Sequence, residues 1–313
     1  MDLYSKKLNI KKLNGIIQKA DLYINKSDVG SNYLTIKDGY VTIYAKLDIN
    51  GDIDFYAKKN GNISKIKNVD KYKISELYPN TYQTMTSLPN DKDWYSYTEQ
   101  FNDLNSMFLF CERLTTIPLL NTSKVINMQN MFAACNKLTV IPQLDTSNVI
   151  NMSNMFTECY KLTSIPQLDT SNVINMQNMF YDCFKLESVP QLNTSRVTNM
   201  YSIFKGCQQL TSIPQLDTSN VINMGSMFKS CRKLTIIPSL NTSKAINMSE
   251  AFYYCDQLTT VPVLNIQSVN SAELLRNMIA ETKVTHITFK NKHSDLQITP
   301  ELLGKPGVTI NYA

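Results

Sequence analysis

Slid against itself by 24 residues, the chain places every cysteine on a cysteine: Cys111, Cys135, Cys159, Cys183, Cys207, Cys231 and Cys255, all seven that it has. A proline follows each by seven places, at Pro118, Pro142, Pro166, Pro190, Pro214, Pro238 and Pro262. A phenylalanine precedes each by three, at Phe108, Phe132, Phe156, Phe180, Phe204, Phe228 and Phe252. A period of this length means that each copy is one supersecondary unit, which buries its apolar face only against its neighbours. The fold class it predicts is an α/β repeat solenoid of seven 24-residue copies over 96–278. A small β-rich N-terminal attachment or capping region, 1–95, precedes the repeats, and a C-terminal cap, 279–313, follows them.

Within one copy the apolar positions divide in two. Met152, Met155, Phe156 and Cys159 fall at i, i+3, i+4, i+7, which predicts a short helix over 151–159. Asn151, recurring at 127, 175, 199, 223 and 247, is placed to cap its first turn. Leu162, Ile165 and Leu168 follow at three-residue spacing, and Pro166 limits the extended piece to a short strand over 162–165. Asp169, Thr170 and Ser171 are turn chemistry, their side chains suited to bonding nearby backbone. The cysteines read as buried, reduced packing residues. Their parallel Cβ vectors oppose disulfides, and no C-x₂₋₄-C spacing supplies a zinc site.

The N-terminal region has no such period. Lys6, Lys7, Lys11, Lys12, Lys19 and Lys26, with Leu13, Ile16, Ile17 and Ala20 at helical spacing, predict a basic surface helix. From Tyr33 the period becomes two, with Asp38-Gly39, Asn50-Gly51 and Asn60-Gly61 as hairpin signals, so an antiparallel meander of three or four strands is expected. Asp48, Asn50, Asp52 and Asp54 imitate the start of a calcium loop. However, Ile53 and Lys59 stand where an EF-hand needs Gly and Glu. Trp94, Tyr97, Phe101 and Leu104 are suited to covering the open end of the repeats.

The run L-T-x-I-P-x-L-[DN]-T-S-x-V-x-N-M-x-x-M-F-x-x-C resembles the BspA-like leucine-rich repeat family over about residues 100–278. More narrowly, it resembles the branch found in bacterial, mycoplasmal and protist surface proteins and in some phage proteins. That resemblance implies a right-handed leucine-rich-repeat solenoid, no enzymatic activity, and a role in adhesion or protein–protein contact. The last copy decays: Ser271-Ala272 replace Asn-Met, and Arg276 and Ile279 fall at the Phe and Cys positions. Val284 to Phe289 and Val308 to Tyr312 read as closing strands.

Composition narrows the function classes. A net charge of +5 over 313 residues is not the clustered basic footprint of a nucleic-acid binder. The first residues lack the apolar core of a secretory signal. No stretch approaches the about 20 apolar residues of a membrane span. His286 and His293 are the two histidines, and nine glycines form no phosphate loop, so neither a catalytic grouping nor a cofactor is expected.

The partner-binding candidates are of three kinds. One is a neutral row, Gln143, Gln167, Gln191 and Gln215, continuing to Ser239, beside Thr116, Ser164, Ser188, Ser212 and Thr260. Another is a basic row, Arg113, Lys137, Lys161, Lys185 and Lys233, with Arg196, Lys205, Lys229 and Arg232 near it. The third is the set of aromatic residues that break the repeat: Tyr160, Tyr181, Phe184, Tyr201, Tyr253 and Tyr254. The function expected is non-enzymatic binding of a protein or surface glycan through the solenoid. A phage virion protein anchored in an oligomeric assembly by residues 1–95 is the first reading. An intracellular scaffold and an unconventionally exported adhesin are the others.

Overall fold

Parallel bridges join successive copies at 150–152 and its equivalents. Asn127, Asn151, Asn175, Asn199, Asn223 and Asn247 are bridged in parallel, each to the next, and Asp103 opens the series. Ile174 N–H donates to Ile150 C=O at 2.9 Å, and Met152 N–H donates to Asn175 C=O at 3.0 Å. Each bridging side chain folds back on its own chain: Asn151 Oδ1 accepts from Ser153 N–H at 3.0 Å. The same bond recurs at Asn127, Asn175, Asn199, Asn223 and Asn247. These are Asx turns rather than helix caps.

The structure, a computed structural model, describes residues 73–313 together with four strands before them. The chain divides into two units, Met1–Lys71 and Tyr72–Ala313. The boundary therefore lies at 71, not 95. Ile74 N–H donates to Met107 C=O and Thr115 N–H donates to Thr86 C=O, so the tyrosine-rich stretch belongs with the repeats. In the first unit β1 (Tyr33–Asp38), β2 (Val41–Leu47), β3 (Ile53–Lys59) and β4 (Asn62–Lys65) form an antiparallel sheet in sequence order. The expected basic helix and the Gly-containing turns lie outside the described residues.

The two-turn helix expected over 151–159 is a run of tight turns instead. Met155 N–H returns to Met152 C=O and Cys159 N–H to Phe156 C=O. The N–H groups of Asn154, Phe156 and Glu158 leave for Gln177, Met179 and Tyr181 C=O in the next copy, at 2.8, 2.9 and 2.7 Å. Asn154 and Glu158 stand at φ of 55° and 60°. That conformation is foreign to an α-helix but is what a type II turn requires at its third residue. A backbone that turns every four residues brings Met152, Met155, Phe156 and Cys159 inward just as a helix would, and all four are fully buried. Periodicity alone cannot separate the two.

The short strand expected over 162–165 is also displaced. Those residues belong to no strand, and the parallel bridges sit at the asparagines. Pro166 has no N–H to give to a ladder.

The core is a set of stacked rows. Successive rings from Phe108 to Phe252 lie nearly parallel, with centroids 5.3–5.9 Å apart. Beside them the seven cysteines are free and buried, and each from Cys135 onward donates its thiol to a Phe carbonyl of the preceding copy. At the N-terminal end α1 (Ile74–Leu77) and α2 (Trp94–Thr98) cover the stack, with Ile74, Trp94, Phe101 and Leu104 buried.

The last copy does not decay where a 24-residue offset places it. Glu250, Phe252 and Tyr254 N–H donate to Arg276, Met278 and Ala280 C=O, three residues beyond the usual partner. Asn277 and Glu281 repeat the positive φ of Glu250 and Tyr254. Three extra residues between Val269 and Leu274, around the 3₁₀ turn Ala272–Leu275, therefore shift the register. The Phe and Cys positions hold Ile279 and Thr282, not Arg276 and Ile279. Arg276 is exposed and paired with Glu273. β5 (Leu264–Asn265), β6 (His286–Lys290) and β7 (Thr309–Tyr312) then close this end as a parallel sheet.

Candidate functional site

Where each copy leaves its proline and turns back, a row of glutamines spans the joints. Gln143 Nε2 donates to Gln167 C=O at 2.8 Å and to its own Leu144 C=O at 3.2 Å. Gln167, Gln191 and Gln215 repeat both bonds, the last reaching Ser239 C=O. Both amide hydrogens are thereby spent on backbone, and the side-chain oxygen is left for solvent or a ligand. Two residues on, Asp169 and Asp217 accept from Ser171 and Ser219 N–H, and Asn193 and Asn241 from Ser195 and Ser243 N–H. Thr170, Thr194 and Thr218 are buried and donate to the carbonyls of Asn193, Asp217 and Asn241 in the following copies.

These rows line one open groove of about 1030 Å³, Gln167, Gln191, Gln215 and Ser239 coming from one row and Asp169, Asn193, Asp217 and Asn241 from the other. Its lining contains two carboxylates and no cation. Hydrogen bonds from the side chain and N–H of Ser171 hold the Asp169 carboxyl below the usual carboxylate range, and Ser219 does the same for Asp217. Both are ionised at neutral pH. The groove is weakly anionic and rich in acceptors.

The aromatic and cationic candidates lie apart from this groove and bond mainly to each other. Tyr160 stacks on Phe184, centroids 5.0 Å apart. Burial and then a 3.0 Å bond to Glu158 push the Tyr160 hydroxyl up to about 12. Lys205 sits over the Tyr181 ring at 4.8 Å. Lys229 sits over Tyr253 at 4.8 Å while pairing with Glu250 at 2.8 Å. Arg232 sits over Tyr254 at 5.7 Å and pairs with Asp256 at 3.3 Å. Lys233 donates to Gln209 at 2.6 Å. Tyr201 is half-buried, its ring 3.1 Å from where a Cβ on Gly225 would stand. This cluster is a set of side-chain clasps between neighbouring copies.

The structure thus brings Gln167, Gln191 and Gln215 into one site, with Gln143 one copy upstream, and leaves the aromatic candidates outside it. Sequence reading missed Asp169, Asn193, Asp217 and Asn241 as site residues because it took them as turn formers. They are both. Their signal was the 24-residue row they share, two places after the glutamines. His286 contacts Thr285 and His293 contacts the Gln267 carbonyl, both outside the groove lining. Among the described residues no three His, Cys, Asp or Glu side chains converge as a metal site, and no helix is long and apolar enough to cross a membrane.

A family model described as Mycoplasma protein of unknown function, DUF285, matches residues 102–212 and again 184–291, together more than half of the chain. No curated protein matches it.

Proposed function

Because the chain belongs to the Mycoplasma family of unknown function DUF285, we propose its role from surface chemistry: it is a non-enzymatic recognition protein that binds a polar ligand along the glutamine-lined groove. The observation that carries this reading is the uniform row of unspent amide oxygens over three successive copies. Ligand sites favour such preformed concave surfaces with a few placed polar groups. The repeats are read as a right-handed solenoid of the BspA-like leucine-rich type, supported by the 24-residue period and the joint-spanning bonds. In this reading the separate unit Met1–Lys71 attaches the protein to a larger assembly, with a phage particle as the first case to test.

The test uses the full chain, fluorescently labelled, against whole bacterial cells. Ser239→Trp fills the groove while keeping the backbone carbonyl that Gln215 uses, and Lys137→Trp places the same ring elsewhere. Loss of cell binding in the first variant alone is expected. Equal binding by both variants overturns the groove reading. Mass spectrometry of particles and of cytosol decides the attachment reading, which fails if particles lack the protein.

A further inference from the structure

We infer that the occupant of the groove is a neutral or amino-substituted polysaccharide segment lying along the stack, one sugar per copy; this rests on the groove reading above. Spacing is the first argument. Copies recur every 5.3–5.9 Å at the phenylalanine stack, about the length of one equatorially linked pyranose. An extended peptide repeats its side-chain direction every two residues, roughly 6.6 Å, and drifts by about 3 Å over four copies. A chain with one sugar per copy keeps pace with the stack, its β1→4-linked units presenting alternate edges as Asp169, Asn193, Asp217 and Asn241 alternate along the groove; an extended peptide does not keep pace.

Polarity is the second argument. With both amide hydrogens of each glutamine committed, the groove offers Gln167, Gln191 and Gln215 as acceptors, and hydroxyl-rich sugars supply donors without carrying charge. Asp169 and Asp217, each already holding a serine N–H through one carboxylate oxygen, add acceptors that favour an ammonium substituent. Asn193 and Asn241 stand in the alternate copies, and their side-chain amides add donors for a sugar oxygen. No cation lines the groove, so phosphate, sulfate or carboxylate polymers find only repulsion there.

The row also has ends. The position of the glutamines is occupied by Leu119 one copy before Gln143 and by Val263 one copy after Ser239, exposed to 64% and 48%. Polar contact therefore stops after about five copies, which limits how much of a long chain the site reads.

Titration calorimetry of the full chain tests this with neutral β1→4-linked oligosaccharides of two to eight units, their amino counterparts, an oligogalacturonate and an oligolysine. Affinity is expected to rise with length to the pentamer and stay flat beyond it, with no binding of the oligogalacturonate. Asp217→Asn, which keeps the oxygen that Ser219 bonds, is expected to weaken the amino series by roughly tenfold and leave the neutral series unchanged. Gln191→Leu should weaken both series. Binding of oligolysine alone, abolished by Asp217→Asn, overturns the sugar assignment and leaves the groove reading standing. Sugar affinity that climbs past the pentamer, or ignores both substitutions, places the sugar elsewhere and overturns the inference. Absence of binding by every probe overturns it as well, and the cell-binding comparison above decides the groove reading independently.

Discussion

The thiol of Cys159 donates to the carbonyl oxygen of Phe132 in the preceding copy, at 3.2 Å, inside a core that excludes water from both groups. Phe132 C=O also accepts from Cys135 N–H, so each joint shares one acceptor between backbone and thiol.

Burial raises every one of these thiols above the ordinary value near 9, with Cys111 and Cys255 pushed up to about 12. The folded chain keeps its thiol protons at a pH where the unfolded chain has lost them. Unfolding free energy is therefore undiminished below pH 9 and falls as pH rises above it. Each thiol contributes up to about 1.4 kcal/mol per pH unit. With seven acting together, urea midpoints under reducing conditions should drop steeply between about pH 9 and 11. Cys159→Ala should make that fall shallower by one proton's worth. Iodoacetamide should label none of the seven at neutral pH until the chain unfolds. Labelling of the folded protein would contradict the burial argument.

Gly206 carries φ of 80°, and a Cβ there would stand 2.0 Å from Asp182 Oδ1. The conformation alone does not demand glycine, because Ala134 and Ser230 hold the equivalent place at 58° and 63°. The neighbour does. Gly206→Ala should cost about 3 kcal/mol in the native chain and about 1 kcal/mol in an Asp182→Ala background. A denaturant double-mutant cycle measures the coupling, and equal costs in both backgrounds would refute the clash.

Much of this fold was legible because packing repeats with the sequence. The Phe, Cys, Met and Leu rows follow from identity at one offset and need no knowledge of the backbone. Backbone conformation was not legible in the same way. Asn154 and Glu158 adopt positive φ for bonds to Gln177 and Tyr181, partners 23 residues away, which no local propensity encodes. The shift at 270–273 hid for a similar reason: a three-residue insertion breaks the offset that makes the other copies visible. The glutamine row was legible as a surface, but not the groove, whose other lining row consists of turn residues. The residues chosen for breaking the pattern, Tyr253 and Tyr254, proved to break it for a local reason.

That local reason predicts their behaviour. Tyr253 and Tyr254 contact each other, with centroids 4.4 Å apart, and carry Lys229 and Arg232 over their rings. Tyr253→Ala and Tyr254→Ala should each cost about 1–2 kcal/mol of stability through lost ring and cation contacts. Binding of cells or oligosaccharides should not change. Unchanged unfolding midpoints with weakened cell binding would instead make this pair a partner surface.

The threonine row contains one exception that isolates what its hydroxyl contributes. Thr170 Oγ1 donates to Asn193 C=O at 2.9 Å, whereas the equally buried Thr146 Oγ1 has no partner. Valine has nearly the same shape and lacks the hydroxyl. At Thr170 the change removes a bond from a buried hydroxyl to the Asn193 carbonyl, which should cost about 1 kcal/mol. At Thr146 it removes an unsatisfied polar atom, so the Thr146→Val protein should be as stable as the parent or more so by up to about 1 kcal/mol. Thermal midpoints of the two variants, measured side by side, decide the matter. A Thr146→Val loss equal to that of Thr170→Val would mean that the Thr146 hydroxyl has a partner in solution.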